Sequence, residues 1–176
     1  MIFFKKNNDR HFYLFEKMSQ QSRQKVFYEK FPLLDSIDGR FELLLIHVIL
    51  LIRRLRKQNE VKLSQDIVDL MFKSIDLSFR EEGVGDLSIP KKMKKVGMVF
   101  YGRIENLDRI LALEELHAKH QELSNYFLRN AFLSNSDYID ASEAFVMYTL
   151  GFEELLETLN IAEIEDFSFN ASKFFT

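Results

Sequence analysis

With 176 residues the chain fits one domain and can bury roughly two thirds of its unfolded surface. It has no cysteine, which excludes disulfides, thiolate metal sites and cysteine nucleophiles, and its six glycines and two prolines exclude collagen-like or long structureless regions. The net charge of −3 is uneven: residues 1–110 hold 21 cations and 15 carboxylates (net +6), whereas residues 111–176 hold 3 and 12 (net −9), a polarity able to steer partners toward one end.

The opening Met1-Ile2-Phe3-Phe4-Lys5-Lys6 lacks the apolar core of a signal peptide and the Arg/Ser-rich pattern of a transit peptide. A first helix is predicted over residues 12–31, with an apolar stripe through Leu14, Phe15, Met18 and Phe27, ended by Pro32. Asp38 is the expected N-cap of a second helix over residues 39–57. That helix is apolar on nearly every side and therefore belongs at the centre of a bundle. Its longest apolar run, residues 43–52, is too short to span a membrane.

A third helix is expected over residues 64–82, with Ile67, Leu70, Met71, Ile75 and Phe79 in helical period. Gly83-Val84-Gly85-Asp86-Leu87 breaks the pattern. Ser88 then caps a fourth helix with Pro90 in its first turn, Gly102 allows a bend, and a fifth helix covers residues 106–132. Beyond a polar loop at 135–140, Phe145, Tyr148, Thr149, Phe152, Leu155, Leu156 and Leu159 mark an amphipathic helix. The tail after residue 160 mixes four phenylalanines with carboxylates and is expected to pack loosely. The reading is an all-α, single-domain bundle of about six helices: an N-terminal extension (1–11), the helical domain (12–160) and a C-terminal tail (161–176).

Four constellations invite chemistry. Gly83 and Gly85 beside a helix start suggest phosphate binding, yet no strand precedes them and no Gly-Lys-Ser/Thr follows. Lys91, Lys92, Lys94 and Lys95 form one basic cluster, and Arg53, Arg54, Arg56 and Lys57 another. Either fits phosphate, acidic protein or lipid headgroups, and the first supplies the alternative of a ribosome- or RNA-associated module. Glu114, His117 and His120 give Glu-x-x-His and His-x-x-His on one helix face, the alternative of a metal-binding protein, though carboxylate-bridged bundles use two such motifs. Glu42 and His47 interrupt the most apolar helix and need buried partners, with Arg40, Arg80 or Arg103 able to serve Glu42. No nucleophile, base and orienter stand in a recognisable order.

The run Asp38-Gly39-Arg40-Phe41-Glu42-Leu43-Leu44-Leu45-Ile46-His47-Val48, followed by Arg53-Arg54-Leu55, resembles the opening of the ubiquinol–cytochrome c chaperone domain. Arg80-Glu81, Gly83-Val84-Gly85-Asp86, Pro90-Lys91 and Phe100-Tyr101-Gly102-Arg103 are similar to its most recognisable segment, and Leu128-Arg129-Asn130 to a later element. The resemblance covers residues 25–132. Glu82 stands where an apolar residue is expected, and the chain diverges after Phe132.

The resemblance implies a non-enzymatic assembly factor of the respiratory bc1 complex, without cofactor, with cytochrome b or another subunit as client. It also implies a cytoplasmic location, peripheral on the inner face of the membrane, and room for a second assembly factor; nucleic acid is not an expected partner. Carried over residue by residue, Arg80, Glu81, Asp86, Lys91, Lys94, Tyr101 and Arg103 become the expected partner-binding surface, with Arg80, Asp86 and Arg103 alternatively bracing the corner between helices. Gly39, Gly83, Gly85, Pro90 and Gly102 are expected to serve backbone geometry. Surplus Phe and Met suit a surface that covers an unassembled membrane protein, because both pack adaptably against irregular apolar shapes.

Overall fold

The computed structural model describes residues 9–175, so the opening hexapeptide lies outside the described residues. Among those described there is no strand, and six helices of thirteen residues or more form the bundle. Helices α1 (Arg10–Ser22) and α2 (Lys25–Lys30) lead into the central α3 (Ile37–Lys57). Then follow α4 (Val61–Glu81), α5 (Ile89–Leu111), α6 (Leu116–Asn130), α7 (Ile139–Thr158) and the single turn α8 (Ile161–Ile164).

As its composition requires, α3 is central: α1, α4, α5 and α7 all pack on it, and Leu45, Val48, Ile49 and Leu51 are fully buried. Its N-cap is Ser36, whose Oγ accepts the Gly39 amide at 3.1 Å, and not Asp38. Asp38 lies in the first turn, where its charge still favours the helix dipole. Gly39 is required by packing, since a Cβ there would stand 2.6 Å from the Leu34 Cα and carbonyl oxygen.

Two helix boundaries differ from the sequence reading. The expected first helix is two, because Gln24 takes an extended conformation (φ −60°, ψ 132°) that aims its side chain at the C-terminal segment. At the other site, α5 runs straight through Gly102 to Leu111, and the chain reverses at residues 112–115 instead. No glycine or proline marks that reversal. Glu115 closes it, its carboxylate accepting the His117 and Ala118 amides and held by them below the usual carboxylate range.

The tail is core, contrary to the loose packing expected. Phe167, Phe169 and Phe175 are buried, and Phe175 packs its ring against Phe27, Phe31, Phe145 and Tyr148. Gln24 clamps the tail backbone, donating to the Phe169 carbonyl at 2.8 Å and accepting the Ala171 amide at 2.9 Å. Arg10, already in α1, reaches Glu165 at 2.8 Å.

Candidate functional site

Helix α4 ends in a turn that needs glycine. The Val84 amide donates to the Phe79 carbonyl and the Gly83 amide to Arg80, with Gly83 at φ +80°, closing the last helical carbonyls. Gly85 carries no such demand: its φ is not positive and a Cβ would meet open space. The amides of Gly83, Val84 and Ser88 are spent on internal carbonyls, which leaves little of the phosphate cradle that the two glycines suggested. Pro90 stands in the first turn of α5, and Ser88 at its N-cap position makes no side-chain cap.

Across this corner the Arg80 guanidinium donates to Asp76 at 2.7 Å and to Asp86 at 2.7 Å. All three groups are accessible, so the pairs steady the loop without adding much stability. Further along α5, Arg103 forks onto the Glu42 carboxylate (2.6 and 3.0 Å), tying α5 to α3, and lies over the Tyr126 ring. Burial raises the Glu42 carboxyl above its usual range, against the opposing pull of Arg103. Of the three arginines weighed for Glu42, Arg103 is its partner, and of the expected contact residues Arg80, Asp86 and Arg103 are engaged within the chain.

Glu81, Lys91, Lys94 and Tyr101 face solvent. Tyr101 is 60% exposed, its ring edge against Phe100, and Gly102 beside it is exposed in mid-helix, with open space where a Cβ would stand. Two residues not singled out in sequence join them: Leu87 (97% exposed) and Met98 (68% exposed). For Met98 the spacing 91, 94, 98, 101 was the available signal, since steps of three and four keep one helix face, whereas Leu87 stands in the loop before α5.

The other basic cluster is engaged within the chain, although Arg56 and Lys57 remain half-exposed. Arg53 pairs with Asp108 and Glu153, Lys57 with Glu157, Arg56 approaches Asp108 at 3.8 Å, and Arg54 donates to the Leu159 carbonyl at 2.9 Å. It ties the basic α3 to α5 and the acidic α7, and so is not the free phosphate or lipid contact that its sequence allowed.

His47 is fully buried and neutral, its pKa lowered to about 4 by burial, which outweighs its hydrogen bond to Leu43. Because a carbonyl only accepts, Nδ1–H donates to the Leu43 oxygen at 2.6 Å, and Nε2 accepts from the Tyr148 hydroxyl at 2.5 Å. The Tyr148 oxygen in turn accepts from Gln21 Nε2 at 3.0 Å. This is a closed structural network with no free base. The expected face of Glu114, His117 and His120 does not form, because Glu114 precedes α6 in the connection, and among the described residues no three His, Asp or Glu side chains converge.

Residues 29–171 match the family described as ubiquinol-cytochrome C chaperone, so the likeness continues past Phe132 into the tail. A crystal structure described as the Cbp3 homolog from Brucella abortus is 28% identical, superposes with a TM-score of 0.78, and is matched over 95% of this chain and 92% of that one. No curated protein matches the chain.

Proposed function

The chain belongs to the ubiquinol-cytochrome C chaperone family, and from that premise we propose that it is a non-catalytic assembly chaperone of the respiratory bc1 complex that holds cytochrome b before assembly. It works in the cytoplasm at the inner face of the membrane, alone or beside a second assembly factor. Client contact is made along α5, where Tyr101 and Gly102 lie side by side on the outer face.

That pair is the observation on which the reading rests. A glycine in an exposed helix interior costs about 1 kcal/mol relative to alanine, and Gly102 has neither a positive φ nor a crowded neighbour to require it. A bare backbone beside an exposed aromatic ring suits close approach by a client helix, as small residues do where membrane helices pack. The Arg103–Glu42 fork keeps this stretch of α5 fixed on the bundle. Glu81, Lys91 and Lys94 flank the contact on the same hairpin.

The test is deletion of the gene in a host that has a bc1 complex, complemented with this chain. Haem b absorbance and cytochrome b protein in membranes should fall on deletion and return on complementation, and Gly102→Trp should fail to restore them while keeping a native circular dichroism spectrum. If deletion changes neither quantity, cytochrome b is not the client.

A further inference from the structure

We propose that the exposed ridge formed by Leu87, in the loop before α5, and by Lys91, Lys94, Met98 and Tyr101 along that helix docks the protein on an anionic lipid surface. The first observation is charge. Between Asp86 and Glu105 the chain has no carboxylate but has Lys91, Lys92, Lys94, Lys95 and Arg103. Arg103 is held by Glu42 and Lys92 lies over the Phe79 ring at 5.2 Å. Lys91, Lys94 and Lys95 have no carboxylate partner among the described residues, whereas the arginines of α3 are engaged within the chain. Glu81, Glu82 and Asp86 precede the ridge in α4 and the loop, and Arg80 already engages Asp86.

The second observation is apolar exposure in register with those cations. Met98 (68% exposed) and Tyr101 (60%) stand at helical spacing from Lys91 and Lys94 on one face of α5, and Leu87 (97% exposed) projects from the loop just before the helix. An RNA backbone gains nothing from Leu87 or Met98. The strip alone is too small for a protein interface of its own: from Lys91 to Tyr101 it runs about 15 Å along α5 and is roughly 10 Å wide, on the order of 150 Å², against about 800 Å² for one side of a stable interface, so a client meeting its Tyr101 end must find most of its contact elsewhere. A bilayer accepts such a strip, because apolar side chains enter the headgroup boundary while lysines stretch to the phosphates.

Tyr101 ends the ridge next to Gly102, so a protein lying this way meets a client where that client leaves the lipid. The docking chemistry stands without the client assignment; only this placement rests on it.

Flotation of the full chain with vesicles tests the proposal, using phosphatidylcholine alone and phosphatidylcholine with about one third phosphatidylglycerol. Binding is expected to the anionic vesicles only, and to weaken with salt. Lys91→Gln/Lys94→Gln/Lys95→Gln should reduce it roughly a hundredfold, at about fivefold per lysine, and Leu87→Ser/Met98→Ser should reduce it at least about tenfold. All five positions are accessible, and circular dichroism checks that each variant folds. Gly102→Trp should keep or strengthen flotation, since tryptophan favours the membrane interface, while failing the cytochrome b rescue, which separates the two readings. No binding, equal binding to neutral vesicles, or an unaffected lysine variant would overturn the proposal. So would displacement by RNA together with indifference to Leu87→Ser/Met98→Ser, which would make the ridge a nucleic-acid contact.

Discussion

His47 Nε2 accepts a hydrogen bond from the Tyr148 hydroxyl at 2.5 Å, across 101 residues of sequence, joining α3 to α7 at a polar point inside an apolar core. Both groups are almost wholly buried, and burial also raises the Tyr148 phenol, so both stay neutral near pH 7. Removing the hydroxyl with Tyr148→Phe leaves the imidazole nitrogen unpaired, at a cost of about 1–3 kcal/mol, measurable by urea denaturation.

The same histidine sets an acid limit. Its folded pKa of about 4 lies below its ordinary 6.5, so the unfolded state binds the proton first. Stability is therefore complete above pH 6.5, falls as pH drops toward 4 by up to about 3 kcal/mol, and changes no further from this group below that. Glu42, whose folded pKa is raised, contributes with the opposite sign near its own titration. A His47→Gln variant should lose the histidine slope and keep the Glu42 one, as read from denaturation midpoints across pH 4–7.

The Arg103–Glu42 fork predicts non-additivity. With the Glu42 side chain only 10% exposed, Arg103→Met strands a carboxylate and should cost about 2–3 kcal/mol, whereas Glu42→Gln/Arg103→Met should recover part of that. A double-mutant cycle by chemical denaturation measures the coupling.

Much of this was legible in the chain. The all-round apolar character of residues 43–52 placed α3 at the centre, and the polar residues Glu42 and His47 within it announced that partners must exist. Their identities were not legible, because Arg103 and Tyr148 come from distant segments that only the tertiary packing brings near. The reversal at residues 112–115 carried no glycine or proline to betray it, while Gly102 signalled a bend that the buried stripe of α5, Phe100, Ile104 and Leu107, overrides. The tail's rings read as loose because aromatic residues spaced among carboxylates have no helical period; Gln21 and Gln24 supply the backbone partners that order them. At the hairpin, resemblance named a set of residues without separating Arg80 and Asp86, which pair across the corner, and Arg103, which ties α5 to α3, from Tyr101, which faces outward.

Three glycines should respond in opposite ways. Gly39→Ala forces a Cβ into the Leu34 backbone and should be strongly destabilising. Gly83→Ala strains a positive φ and should cost about 1 kcal/mol. Gly102→Ala should stabilise the isolated protein by about 0.5–1 kcal/mol while lowering cytochrome b accumulation in the complementation assay. Thermal melts of the three proteins check the order.

Truncating a tail ring tests whether the segment is structural. Phe175→Ala removes a buried side chain that meets four other rings and should cost about 3 kcal/mol, near the range for core phenylalanines. A change below about 0.5 kcal/mol in urea denaturation would mean that the tail is peripheral.

The pairing of Arg53 and Lys57 with Glu153 and Glu157 has a consequence for the order of events during synthesis. Asp108, the first counter-charge of the C-terminal end of α3, lies 55 residues downstream, Glu153 and Glu157 lie a hundred, and the clamp on Gln24 arrives later still. A chain emerging from its N-terminus therefore carries its most apolar helix without the aromatic and acidic surfaces that seal it. Closure of such distant loops is slow compared with packing between sequence neighbours, so the core of this chain is completed late, and α3 needs shelter of its own until α7 and the terminal phenylalanines have been made.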